Sequence, residues 1–267
     1  MSTSLERALD ILQSLSVRPD GPRQLSEMLD VHRSTVVRLL HSMESRGFVR
    51  RLPDGRWGIG FDLVEIGQRA LDGIDLRDAA RPHIQSLADE LGHTVHVAEL
   101  VGSDIVYVDK IEGLGSVKMR SRVGAKANAH AAGVAKAALA YAPAAVQDTA
   151  IVACDFERFT ASTITDADGL RADFARIRAR GWAIDDAEGE DYINCIAFPL
   201  FGLRDEVRGA VSVTAVRSIA PVSVLERHAS RIRRAADAIS AELGRPTPAA
   251  AAGAVTDAQL REPLIDS

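Results

Sequence analysis

The chain has 267 residues, of which 46% are hydrophobic and 26% are charged, and its formal net charge is −5. This length exceeds one typical domain and supplies enough apolar side chains for real cores, so we expect two domains. No apolar run approaches the ~18 residues that a membrane span needs, and the first residues lead into a charged helix rather than a secretory signal. A cytoplasmic protein without membrane contact is therefore expected.

Two short helices are predicted at the beginning of the chain. The first has Ser4 as its N-cap, and its apolar positions recur with helical spacing at Leu5, Ala8, Leu9 and Leu12. After a turn with the sequence Pro-Asp-Gly-Pro, residues 24–29 form the second helix, with its apolar side chains on one face.

Residues 31–43 form the most informative segment, because the predicted helix has one apolar face and one polar face. The apolar face consists of Val36, Leu39, Leu40 and Met43, and the polar face of Ser34, Thr35, Arg38, His41 and Ser42. A helix of this kind after a helix and a tight turn is typical of the recognition helix of a helix-turn-helix.

An extended segment follows Gly47, and residues 48–52 and 56–59 flank a turn with the sequence Pro-Asp-Gly. This pattern predicts the hairpin wing of a winged helix-turn-helix. Residues 31–60 carry six arginines and two acidic residues, a local net charge of +4. Arginines alone are also typical of a solvated face, but the order of helix, turn, helix and hairpin favours binding to double-stranded DNA.

Roles in DNA binding follow from the side-chain chemistry. A guanidinium can bind guanine O6 and N7 together, so Arg38 is the base-reading candidate, whereas hydroxyls more often bind phosphate. Arg56, near the hairpin tip, is expected to reach a minor groove or a phosphate. The predicted DNA-binding residues are Arg33, Ser34, Thr35, Arg38 and Arg56.

The remaining sequence predicts an α+β domain behind a linker helix. The further predicted elements are helices over 61–71, 76–91 (ended by Gly92), 129–141, 168–180 and 225–243, and strands around 95–97, 105–111, 194–200 and 209–216. We therefore divide the chain into a winged helix-turn-helix domain (1–60), a linker helix (61–73), an α+β domain (74–244) and a disordered tail (245–267).

Several motifs, in this order, resemble the IclR-type family of bacterial transcriptional regulators over about residues 4–243. They are SLERALDIL at 4–12, STVVRLL at 34–40, GFV at 47–49, HAAGVAKA at 130–137, GWAID at 181–185 with Glu188, and CIAFP at 195–199. The resemblance implies a winged helix-turn-helix joined by a helix to a GAF-like effector-binding domain with an antiparallel sheet. It also implies a homodimer or dimer of dimers, a palindromic operator, and control of a catabolic operon by a small organic acid.

The resemblance further implies where such an effector binds. The implied residues are Gly133, Val134, Asp185, Cys195, Ser212 and Thr214, and we add Met119 as an apolar wall. Strand alternation independently puts Ser212 and Thr214 on one face of their strand, opposite two valines. Tyr192 replaces a glycine that the family commonly has, and it is expected to line or narrow the pocket.

Other interpretations of these residues stay open from sequence. Ser212 and Thr214 also suit the solvent face of an edge strand, Cys195 a core thiol, and His130 a loop anchor. Asp185 begins an acidic run that suits a solvated loop, and Lys136 suits a helix surface.

Two other classes of protein remain as alternatives to a regulator. A hydrolase would use Cys195 with His96, His130 or His228 as its base, and a redox or interaction module would bind no small ligand. The sequence contains neither a nucleophile elbow nor a phosphate loop, so an enzyme is not expected. The two cysteines lack metal-binding spacing, so neither a metal nor a cofactor is expected.

Overall fold

The computed structural model describes residues 3–72, 75–114 and 119–246. It divides into two compact units, Met1–Ile74 and Asp75–Ser267. Among the described residues, no helix is long and apolar enough to cross a membrane. The end of the predicted linker helix at residue 73, and the predicted tail from residue 247 onwards, lie outside the described residues.

The first unit contains three helices, a two-stranded hairpin and a fourth helix. Their bounds are α1 Ser4–Val17, α2 Pro22–Leu29, α3 Arg33–Glu44, β1 Val49–Arg51, β2 Trp57–Ile59 and α4 Phe61–Asp72. The strands β1 and β2 are antiparallel, with Val49 opposite Ile59. One core joins the helices to the hairpin and includes Ile11, Leu15, Leu25, Val36, Leu40, Met43, Val49 and Trp57.

The apolar stripe predicted for α1 is partly wrong. Leu5 is 69% exposed and Leu9 is 51% exposed, whereas Ile11 and Leu15 are buried. Leu5 and Leu9 have helical spacing, and so do Ile11 and Leu15. Packing of α1 against α2 and α3 buries the second pair. The predicted N-cap is also displaced by one residue, since the Thr3 side chain accepts a hydrogen bond from the backbone of Glu6.

The base of the hairpin meets the start of α4 where Gly47 and Gly60 lie in close contact. The Gly60 N–H donates to the Phe48 carbonyl at 2.8 Å, and the Asp62 N–H donates to the Gly47 carbonyl at 3.3 Å. A Cβ atom added to Gly60 would lie 1.9 Å from the Gly47 carbonyl oxygen. Any side chain at residue 60 would therefore collide with backbone, and α4 begins in direct contact with the base of the hairpin.

The second unit is an antiparallel sheet with helices on both faces. Its elements are α5 Leu76–Leu91, β3 Thr94–Val101, β4 Asp104–Ile111, α6 Gly133–Leu139, α7 Ala144–Val152, α8 Ala167–Arg180, β5 Ala183–Asp186, β6 Ile193–Phe201, β7 Val207–Val216, α9 Val222–Glu226 and α10 Ala229–Glu242. The strand order is β4-β3-β7-β6-β5. Helix α6 covers the face that carries Ala197 and Ala210, and Arg233 of α10 lies over the Phe198 ring on the other face.

Two helix predictions in this unit need correction, and a third helix was not predicted. The helix predicted over 129–141 is shorter, because the Ala131 and Ala132 N–H groups both donate to the Asn128 carbonyl in a turn that precedes α6. Helix α7 was not predicted. The helix predicted over 225–243 is broken, because the His228 N–H bonds the Leu225 carbonyl in a tight turn between α9 and α10. No Gly or Pro marks that break.

Candidate functional site

The polar face of α3 is free of the core, as its sequence pattern predicts. Val36, Leu40 and Met43 are buried, while Arg33, Ser34 and Arg38 are exposed and Thr35 is half-buried. The apolar residues hold the helix against the core of its unit and leave its polar face open to solvent. The predicted DNA-binding side chains of α3 are therefore accessible to solvent.

Arg56 on the wing is already engaged with a neighbouring carboxylate. Its guanidinium lies 2.7 Å from Asp54 Oδ2, and the Asp54 side chain also accepts from the Arg56 backbone N–H at 3.0 Å. The hydrogen bond between the two side chains raises the pKa of Arg56 and lowers the pKa of Asp54. Contact with DNA would thus require Arg56 to exchange or share this partner.

A cavity of about 230 Å³ lies beside the α6 face of the sheet in the second unit. All seven residues predicted for the effector site line it, namely Met119, Gly133, Val134, Asp185, Cys195, Ser212 and Thr214. Strand β7 is the central strand of the sheet, so the alternative of a solvent-exposed edge strand is wrong. The buried Ser212 and Thr214 hydroxyls face this cavity.

His96 contributes a buried imidazole to the same wall, opposite Ser212 in the register of β3 and β7. Its ring nitrogens share hydrogen bonds with Thr214 Oγ1 at 3.2 Å and with Ser121 Oγ at 2.7 Å. Burial, with the charge of Lys110, lowers the pKa of His96 to about 3. His96 is therefore neutral at physiological pH.

Asp185 is buried at the cavity rather than solvated, because it lies in β5 directly opposite Cys195. One of its carboxylate oxygens accepts from the Glu188 N–H at 2.7 Å. Burial raises the pKa of Asp185 to about 6, although the Glu188 N–H and the Lys136 charge oppose this shift. The carboxyl can therefore accept from a ligand hydroxyl or, when protonated, donate to an anionic oxygen.

Lys136 is completely buried, so its interpretation as a surface residue is wrong. Its Nζ atom lies 3.1 Å from Asp173 Oδ2 and also pairs with Glu188. Burial lowers the pKa of Lys136, but attraction to these two carboxylates outweighs burial and keeps the pKa above its ordinary value. The ion pairs tie α6 and α8 to the loop behind Asp185.

Gly133 and Cys195 touch across the cavity wall. A Cβ atom at residue 133 would lie 2.3 Å from the Cys195 sulfur, so only glycine fits without movement. Burial raises the pKa of the Cys195 thiol well above its usual range. A neutral thiol is a weak nucleophile, which disfavours the hydrolase alternative.

Two expectations about neighbouring residues have different outcomes. Tyr192 was expected to line or narrow the pocket, but it does not line the cavity. It is 41% exposed, and its hydroxyl donates to Glu190. His130 lies outside the cavity lining, and its Nε2–H donates to the Glu157 carbonyl at 2.9 Å, which suits a loop anchor.

Sequence reasoning missed several residues around the cavity. They include Tyr107, Arg120, Ser121, Lys126, Asn128, Phe159 and Glu190. Most lie on loops, where periodicity gives no orientation. His96 was considered only as a catalytic base, although the alternation of β3 could have placed it on the cavity face.

The exposed polar face of α3, which follows α2, and the arginine-rich hairpin that forms the wing together define a winged helix-turn-helix DNA-binding protein. Comparisons with known proteins agree with this class. Residues 4–53 match the IclR helix-turn-helix domain, and residues 68–241 match the bacterial transcriptional regulator IclR C-terminal domain. The chain belongs to the IclR family and is a DNA-binding transcriptional regulator rather than an enzyme.

Individual relatives match over most of their length. The chain is 32% identical over 217 residues to the uncharacterized HTH-type transcriptional regulator RhmR of Escherichia coli K12, covering 80% of this chain and 83% of that protein. It is 28% identical over 246 residues to the regulator XynR of the same organism, covering 91% and 98%.

Solved structures agree with the fold. The Thermotoga maritima IclR structure has 28% identity and a TM-score of 0.61, covering 90% of this chain and 98% of that one. The Agobacterium tumefaciens repressor BlcR has 22% identity and a TM-score of 0.72, covering 90% and 96%.

Proposed function

We propose that this regulator controls a catabolic operon in response to a small organic acid bound in the cavity of the second unit. One observation carries the proposal: seven residues that are dispersed in sequence from Met119 to Thr214 line one cavity of about 230 Å³. This volume suits a metabolite rather than a macromolecule, and polar groups that converge on one cavity are typical of sites that orient a polar ligand.

The charges around the cavity support an acid that also carries a hydroxyl or keto group. Arg120 and Lys126 line the cavity, where they pair with Glu190 and Asp104, and they would bring positive charge to a carboxylate that shares or replaces those partners. Ser212 and Thr214 bring buried hydroxyls, and Asp185 brings a buried carboxyl. A ligand whose carboxylate lies near the two cations and whose hydroxyl lies against Asp185 would match both the basic and the acidic parts of the cavity lining.

The first unit supports binding to DNA through α3 and the wing. Arg38 is the base-reading residue in this proposal, with Ser34, Thr35, Arg33 and Arg56 as phosphate or groove contacts. Arg38 and Ser34 are exposed on one helix face, which supports this assignment. The contacts to phosphate would set the position of the helix, while Arg38 would discriminate the sequence.

A homodimer or dimer of dimers is the assembly that we propose. Exposed apolar side chains in the first unit support it, since Leu5 is 69%, Phe61 is 73% and Val64 is 61% exposed. Two symmetric recognition helices would read a palindromic operator with half-sites about 10 bp apart or a multiple of that distance.

A thermal-shift screen of small keto, hydroxy and aromatic acids tests the effector site. An acid at about 100 times its Kd should stabilise the second unit by about 2.7 kcal/mol, which is a shift of roughly 5–11 °C. Ser212→Ala and Thr214→Val should each remove most of this shift. Ser240→Ala is the matched control, because Ser240 is an equally buried serine that bonds the Phe201 N–H away from the cavity.

The same screen can contradict the proposal. If the shift survives in both cavity variants, or if it is lost equally in Ser240→Ala, the ligand binds elsewhere. Footprinting of the upstream intergenic region tests the DNA site independently, and protection without two-fold symmetry would contradict the dimeric palindrome. The active acid should change that protection, because binding energy can shift DNA affinity only through a difference between two states.

A further inference from the structure

Three metal-binding side chains converge where the turn before α6 meets the segment after α7. The donor atoms of His130, Cys154 and Asp155 all lie within 4.8 Å of one another. Cys154 Sγ lies 3.0 Å from His130 Nδ1. None of the three residues lines the cavity described above. We propose that His130, Cys154 and Asp155 bind a zinc ion.

The donor set suits zinc by chemistry and by spacing. Zinc binds thiolate, imidazole and carboxylate, usually in a tetrahedron. With Zn–S and Zn–N bonds of about 2.3 and 2.0 Å, a tetrahedral angle separates sulfur from nitrogen by about 3.5 Å. The observed 3.0 Å between Cys154 and His130 therefore needs to widen by only about 0.5 Å. Three protein ligands leave a fourth position for water.

The imidazole is held in the orientation that a metal ligand needs. His130 Nε2–H donates to the Glu157 carbonyl at 2.9 Å, so Nδ1 is the nitrogen whose lone pair faces Cys154. A hydrogen bond from the second ring nitrogen to a backbone carbonyl is the usual support of a metal-bound histidine. The rings of Phe156 and Phe159 each lie 5.5 Å from the imidazole and fix its plane.

The other two ligands are positioned by the backbone that leaves α7. The Cys154 N–H donates to the Ile151 carbonyl at 3.2 Å, which makes the cysteine part of the last turn. An Asp155 carboxylate oxygen accepts from the Glu157 N–H at 3.1 Å, which leaves its remaining lone pairs for an ion. His130 is buried, Cys154 half-buried and Asp155 exposed, so an ion could enter from the Asp155 side.

Zinc binding would replace a proton at this cluster. In the metal-free protein the Cys154 thiol is the donor to His130 Nδ1, because Nε2–H already donates to the Glu157 carbonyl. On binding, the S–H bond breaks, the thiolate sulfur forms the Zn–S bond, and the proton leaves to solvent. No oxidation or reduction occurs.

The experiment measures Zn²⁺ affinity of the tag-free, full-length protein by competition with a chromophoric chelator. We expect one tightly bound ion per chain. Cys154→Ser should weaken binding by more than about 100-fold, since even outer-shell partners are worth about 10- to 100-fold. Asp155→Asn should weaken it by about tenfold. Cys195→Ser removes the second of the two cysteines and should bind as the wild type does.

Cobalt provides a second readout that depends on the sulfur ligand. Co²⁺ added to the wild type or to Cys195→Ser should give a thiolate charge-transfer absorption band that Cys154→Ser lacks. Asp155 is exposed, so Asp155→Asn keeps the test valid if Cys154→Ser fails to fold. Absence of bound zinc in the wild type would overturn the proposal. Unchanged affinity in Asp155→Asn, or loss in Cys195→Ser, would also overturn it.

Discussion

The contact between Gly133 and Cys195 makes a sharp prediction about stability. A Cβ at residue 133 would meet the Cys195 sulfur at 2.3 Å, and the next atoms are Ala197 Cβ at 3.6 Å and Asp185 Cβ at 3.7 Å. Overpacking of this kind costs about 1–3 kcal/mol. Alanine in a helix is otherwise favoured over glycine by about 0.5–1 kcal/mol. Gly133→Ala should therefore destabilise the wild type but stabilise a protein that already carries Cys195→Ala.

The coupling between the two substitutions isolates the collision. The helix contribution is common to both backgrounds and cancels, so the free energies of unfolding should show a coupling of about 1–3 kcal/mol. Urea unfolding of the four proteins measures it. With Trp57→Phe present throughout, Trp182 is the remaining tryptophan and reports the second unit. Equal effects of Gly133→Ala in both backgrounds would refute the reasoning.

Three further predictions follow from single side chains. Arg38→Ala should weaken binding to the operator by about 10- to 100-fold and to a scrambled duplex far less, so equal losses in a mobility-shift assay would refute base reading. Lys136→Met removes the cation that pairs with Glu188 and leaves the buried Asp173 with Arg176, and it should cost about 3–5 kcal/mol in urea unfolding. The control is Lys126→Met, which removes an exposed ion pair and should cost about 0–1 kcal/mol. Burial raises the pKa of Asp185 from 3.8 to about 6, so the folded state loses stability as pH rises through that interval. The stability of Asp185→Asn relative to wild type should thus rise by about 2 kcal/mol from about pH 4 to about pH 7, and a constant difference would contradict this.

Local periodicity was sufficient where one face of an element decides its packing. The buried residues of α3, Val36, Leu40 and Met43, are three of the four that the helical pattern selects, and the fourth, Leu39, is half-buried against the same core. The same reasoning was wrong for Leu5 and Leu9 because α1 has two overlapping apolar stripes. Which stripe is buried depends on the neighbouring helices, and the spacing within α1 carries no information about them.

Long-range pairing explains the remaining errors. Ser212 is buried because β7 lies between β3 and β6, a position that only the strand order defines. Lys136 is buried because its partners Asp173 and Glu188 come from distant parts of the chain. His130 and Cys154 are 24 residues apart, so their sequence spacing resembles no metal motif even though their side chains touch.

The contact of Gly60 with the Gly47 carbonyl oxygen has a mechanical consequence. The junction before α4 has no room for one methyl group, so a side chain at position 60 would displace the peptide at Gly47 and with it the base of the hairpin. The hairpin is in turn packed on α3 through the shared core that includes Val49. The base of the hairpin therefore connects the start of α4, through the Gly60 and Asp62 hydrogen bonds, to the core on which the recognition helix packs. A larger residue at position 60 would therefore disturb both the start of α4 and the position of the hairpin against α3.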